Sequence, residues 1–67
     1  MTNDQVTAAL QHLIGTYYAS TVKTYISSLT QRTRVVGPTD TATMEFDDQR
    51  IHIVANAEGI IEGFRFA

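Results

Sequence analysis

At 67 residues, the chain is one domain near the lower size limit for independent folding, where disulfides, metals or partners commonly supply missing stability. It has no cysteine, and its two histidines, His12 and His52, lie forty positions apart, which excludes a disulfide or thiolate site and leaves no set of ligands at structural-zinc spacing. Five basic against seven acidic residues give a net charge of −2, the wrong sign for a phosphate-binding surface, and no apolar run approaches the roughly 18 residues that span a bilayer.

The core must therefore come from the 43% hydrophobic content, which is ordinary for a globular chain. The opening stretch MTNDQVTAALQHLIG lacks a basic leader and a continuous apolar segment, so it does not read as a signal peptide. Together with the absence of cysteine, this favours an intracellular protein, with a secreted mature form as the alternative.

In chain order, Asn3 to Ile14 places Val6, Leu10, Leu13 and Ile14 at helical spacing. Thr2 and Gln5 suit a capping box, and Gly15 suits a stop. A second helix is predicted over Ala19 to Leu29, with Val22, Tyr25, Ile26 and Leu29 on one face and Ser20 or Thr21 as cap. Thr24, Ser27 and Ser28 are mediocre helix formers, but the amphipathic period outweighs them. Thr33 to Val36 reads as a short β-branched strand that Gly37-Pro38 halts. Arg50 to Val54 alternates, with Ile51 and Ile53 on one face and Arg50, His52 and Val54 on the other. Asn56-Ala57-Glu58-Gly59 is a turn, and the strand after it places Ile60, Glu62, Phe64 and Phe66 on one side. The order helix, helix, strand, loop, strand, turn, strand predicts an α+β fold. Its small sheet has a parallel pair flanking a long loop and a C-terminal antiparallel hairpin. One main helix packs on the sheet, with an extra N-terminal helix. Residues 37–49 between the parallel strands are too many for a tight hairpin, and a connection of that length without its own secondary structure is usually functional.

Catalytic chemistry has little to build on. Ser20, Ser27 and Ser28 all fall on the second helix, with no nucleophile elbow. Glu45, Asp47 and Asp48 cluster in an exposed loop rather than in a water-restricted pocket, which a chain this small can hardly form. No enzyme activity, cofactor or metal is expected. The long loop reads better as a binding element that pairs main chain with a partner's strand edge and offers Met44 as an adaptable apolar anchor. From the residues alone, Thr43 to Phe46 as a plain strand with Met44 in the core stays open.

The stretch Val35-Val36-Gly37-Pro38-Thr39-Asp40-Thr41-Ala42-Thr43-Met44-Glu45-Phe46, followed by Arg50-Ile51-His52-Ile53, resembles the potato inhibitor I family and, more closely, the related fungal and bacterial elastase-inhibitor family. Leu13-Ile14-Gly15 matches the motif that precedes the family's helix, so the resemblance runs from about Leu13 to Ala67. It implies a reversible, substrate-like inhibitor of serine endopeptidases. The reactive-site loop would comprise Thr41, Ala42, Thr43, Met44, Glu45, Phe46 and Asp47, with Met44–Glu45 as the scissile bond. It also implies that Arg50 reaches back to Thr43 and Glu45. His52 stands where a second arginine is common, which suggests a support that weakens above about pH 6.5, and Arg65 could serve as a further prop. Asp47 replaces a usual arginine, so the acidic run from Glu45 to Asp48 would narrow the targets. Met44 suits the apolar pockets of subtilisin-like and chymotrypsin/elastase-like proteases. The expected partner is such a protease, bound by a monomer, with no nucleic acid and no membrane. The alternative is a non-inhibitory interaction module using the same loop or sheet edge.

Overall fold

The computed structural model describes residues 1–40 and 45–67. The capping box forms as the sequence suggests: Gln5 N donates to Thr2 Oγ1 at 3.2 Å, and Thr2 N donates to Gln5 Oε1 at 2.8 Å. It starts α1, Asn3–Ala9, whose inward face carries Val6 into the core. The helix is shorter than the predicted Asn3 to Ile14. At Leu10 the backbone leaves helical geometry and tightens into a 3₁₀ turn, Gln11–Leu13. Leu10 is fully buried, whereas Ile14 is 40% exposed and drops out of the apolar stripe. Gly15 then adopts φ +90°, which only glycine takes at little cost. The chain reverses there and docks on the start of the last strand, with Gly15 N bonded to Ile61 O and Ile61 N to Thr16 O, both at 2.8 Å.

The second helix, α2, covers Ser20–Thr30. Its N-cap is Ala19, without a side-chain cap, so neither Ser20 nor Thr21 plays the role expected of it. Its inward face is Val22, Ile26 and Thr30, spaced four apart, while Tyr25 and Leu29 are 44% and 40% exposed. Thr30 tolerates burial because its hydroxyl donates to Ile26 O at 2.7 Å. That bond is why periodicity of apolar residues alone rotated the predicted face.

Among the described residues, three strands form one mixed sheet in the order β1-β2-β3: β1 Val35–Val36, β2 Ile51–Ala55 and β3 Ile61–Phe66. β1 is shorter than the predicted Thr33 to Val36. It runs parallel to β2, with Val35 opposite Ile51 and Val36 opposite His52, while β2 and β3 form the antiparallel hairpin. The α+β architecture therefore stands as expected, with the long connection crossing between parallel neighbours. Alternation in β3 breaks at one point. Val54 pairs with Gly63 but Ala55 pairs with Ile61, so Glu62 is an extra residue in a bulge. Phe64 and Phe66 face the core, but parity flips beyond the bulge and Ile61, not Ile60, is buried there. Val6, Leu10 and Ile26 from the helices meet Ile51, Ile53 and Ile61 from the sheet to make that core.

Candidate functional site

The connection from β1 to β2 is held at both roots. At the first root, Gly37 and Asp40 bond reciprocally: Asp40 N donates to Gly37 O at 3.2 Å, and Gly37 N donates to Asp40 Oδ2 at 2.9 Å. Lys23, on α2, donates to the same carboxylate oxygen at 2.6 Å. The bond from Lys23, then that from the Gly37 amide, lowers the Asp40 pKa, and the Lys23 pKa is raised in return. This root is thus tied to the helix layer.

At the second root, Asp47 does two jobs. Its Oδ1 accepts from Gln49 N at 3.0 Å, an Asx turn, and its Oδ2 accepts from Arg34 Nη1 at 2.8 Å. The Gln49 amide and then Arg34 pull its pKa below the ordinary value. Arg34 sits just before β1, and its carbonyl accepts from Ile51 N at 3.0 Å, so the ion pair crosses between the parallel strands at their start. Asp47 is therefore turned towards the scaffold, whereas Glu45 and Asp48 are exposed. The sequence suggested a presented acidic run; the structure makes one member of that run a brace.

Arg50 is the most buried charge in this region, at 6% exposure. Its Nη2 donates to Glu45 O at 2.6 Å and its Nε to the Ala67 main-chain oxygen at 2.6 Å. A planar fork suits two acceptors in one plane, which a lysine could not match. His52 is also buried, and its Nε2 lies 2.9 Å from that same Ala67 oxygen. Arg65 is exposed and pairs across the sheet with His52. It lines a groove with Gly37, Pro38, Asp40 and His52, and its side chain makes no hydrogen bond or ion pair among the described residues. Phe46 projects at 78% exposure, the largest value of any big apolar side chain among the described residues. Thr41, Ala42, Thr43 and Met44 lie outside the described residues.

The arrangement ties Glu45 to Arg50, brings Arg50 and His52 onto one Ala67 oxygen, and braces Asp47 on Arg34 and Gln49. It adds Lys23, Arg34 and Asp40, which sequence reasoning passed over. Asp40 three residues after Gly37 of the Gly-Pro pair was the available signal for a local carboxylate-to-amide bond; the lysine and arginine partners lie 17 and 13 positions from their carboxylates and carried none. Among the described residues, no group of three or more His, Asp or Glu side chains could hold a metal ion.

Two comparisons bear on this geometry. A crystal structure of the elastase inhibitor AFUEI (crystal form II) is similar, with a TM-score of 0.59 and 27% identity over 96% of this chain and 93% of that one. A search of curated protein sequences finds no match. The profile of the peptidase inhibitor I78 family matches residues 6–66. These matches carry the elastase-inhibitor side of the resemblance read from the sequence, and do not extend to the potato inhibitor I family. They agree with the expectation of a protease partner and of an inhibitor rather than an enzyme. On residues 6–66, nearly its whole length, this chain belongs to the peptidase inhibitor I78 family.

Proposed function

We propose that the protein inhibits serine endopeptidases in the manner of a slow substrate, offering Met44–Glu45 as the scissile bond to chymotrypsin/elastase-like or subtilisin-like enzymes. The observation that carries this reading is the buried Arg50 holding the Glu45 carbonyl at 2.6 Å, on a connection braced at both roots. The name of the similar elastase inhibitor supports an elastase-like target.

In this mechanism the protease serine attacks the Met44 carbonyl, the carbon–nitrogen bond to Glu45 breaks, and the catalytic histidine gives its proton to the departing amine. An ordinary substrate then loses its leaving strand and water hydrolyses the ester. Here Arg50 restrains Glu45 itself, and Asp47 ties the next turn to Arg34. The new amine stays near the ester carbon and can attack it again, expelling the serine and restoring the peptide bond. Restraint before binding also lowers the entropy lost on association. Phe46, projecting beside the bond, would contact the protease on the leaving-group side. The monomer is the binding unit.

Titration against chymotrypsin, elastase and subtilisin, with Met44→Gly and Arg50→Ala alongside, tests the reading. Met44→Gly should weaken binding about 10- to 100-fold through loss of a buried side chain. Arg50→Ala should be cut at Met44–Glu45 about 10- to 100-fold faster, because hydrogen bonds from a charged group are lost. Wild type that leaves all three proteases fully active at micromolar concentration overturns the proposal and favours the interaction-module alternative.

A further inference from the structure

Val6 and Leu10 explain why α1 packs on the core, but they do not explain Asn3. This residue opens α1 and uses both ends of its amide. Its Oδ1 accepts from Arg32 Nη1 at 2.7 Å, and its Nδ2 donates to the Asp48 carbonyl at 3.0 Å, 45 positions away. Only one orientation of the amide satisfies both, because a guanidinium can only donate and a carbonyl can only accept.

Arg32, two residues past α2, is buried at 8% exposure. Its Nη2 donates to Met1 O at 2.8 Å, and its Nη1 adds a longer bond of 3.4 Å to Gln49 O. The guanidinium carbon also lies 5.5 Å from the centre of the Phe66 ring. Among the described residues no carboxylate pairs with it; the charge is satisfied by neutral oxygens and a ring face. Those oxygens come from the amino-terminal segment on one side and from the turn Asp48–Gln49 on the other. Asp48 and Gln49 are the two residues between Asp47 and Arg50, the braces already described.

We propose that Asn3 and Arg32 form a clamp that makes the amino-terminal segment a positioning element for inhibition, through the leaving-group side of the loop. The proposal rests on Met44–Glu45 being the scissile bond. Once that bond opens, the strand beginning at Glu45 can leave only by lifting residues 45–50 off the scaffold. Arg50 and Arg34 resist this from the sheet. The clamp resists it from α1, by holding the carbonyls of Asp48 and Gln49. Asn3 and Arg32 touch no protease and act only by limiting how far the new amine can travel.

Asn3→Asp separates this role from folding. A carboxylate keeps the acceptor for Arg32 and suits the first turn of a helix, but cannot donate to the Asp48 carbonyl. Its thermal midpoint should stay within about 2 °C of wild type, less than the 4–8 °C that one kcal/mol moves a domain of this size. Amide hydrogen exchange should quicken at residues 45–50 and not in the β2–β3 hairpin. Cleavage by chymotrypsin should run about 3- to 10-fold faster, the effect of one hydrogen bond, with the association rate unchanged. Arg32→Lys, which keeps the charge and loses the fork, should show the same pattern more strongly. Exchange and cleavage at wild-type rates in both variants would overturn the clamp. A wild type that inhibits nothing overturns the inhibitor reading, and with it the clamp's role in inhibition. The exchange measurement still reports, separately, whether Asn3 holds residues 45–50.

Discussion

A methyl group added at Gly37 would sit 2.5 Å from the Tyr18 hydroxyl oxygen and 2.9 Å from Asp40 Oδ2. Asp40 is held by its bonds to Lys23 and to the Gly37 amide, and the Tyr18 ring packs against the core. The glycine is needed here for space, not for its dihedral freedom. Gly37→Ala should cost about 1–3 kcal/mol, the usual penalty of overpacking, read as a lower midpoint in chemical denaturation. Adding Tyr18→Phe, which removes the nearest atom, should recover part of the loss; no recovery would place the strain elsewhere. His52 is instructive at the same scale. The Ala67 main-chain oxygen can only accept, so His52 Nε2 must carry a proton, and the neutral ring with hydrogen on Nε2 makes this bond as the imidazolium does.

Between elements, the two ion pairs set how the loop roots respond to acid. Asp40 and Asp47 both have pKa values lowered by their partners in the folded protein. Each pair therefore contributes stability above the unfolded carboxylate value of about 4, and loses it as pH falls through the lower folded value. Lys23, whose pKa is raised, contributes below its ordinary value and ceases to do so only in strong alkali. Unfolding midpoints should thus fall from pH 5 to pH 2 in wild type and fall less in Asp40→Asn with Asp47→Asn. Parallel curves would mean the pairs add nothing, as many exposed pairs do. This level of organisation was only partly legible in the sequence. The capping box, the helix and strand order and the parallel crossover follow from local patterns, and Arg50 followed from the family's motif. Arg34 with Asp47 and Lys23 with Asp40 did not, because their partnership depends on which residues the parallel register and the helix-on-sheet packing bring together. The bulge at Glu62 hid for a related reason: one extra residue reverses parity, so strict alternation chose Ile60 where Ile61 is buried. In α2, a hydroxyl satisfied by its own helix took an inward position that hydrophobicity assigned to Leu29.

The molecule as a whole has little stability to spare. At the common 0.05–0.15 kcal/mol per residue, a chain of this length holds about 3–10 kcal/mol, drawn from a core of six buried apolar side chains among the described residues. Those six divide evenly about the bond between residues 44 and 45. Val6, Leu10 and Ile26 lie before it with both helices and β1; Ile51, Ile53 and Ile61 lie after it with the β2–β3 hairpin. Neither piece owns a complete core, so a chain opened at that bond becomes a pair of complementing fragments that fold only as a complex. Its folding is then bimolecular, and its melting midpoint should rise with concentration while that of the intact chain stays constant. Peptides 1–44 and 45–67, each unfolded alone by circular dichroism, should regain helix and sheet on mixing. If either folds unaided, the core is not shared in this way, and the nicked inhibitor would come apart on dilution into two independent pieces.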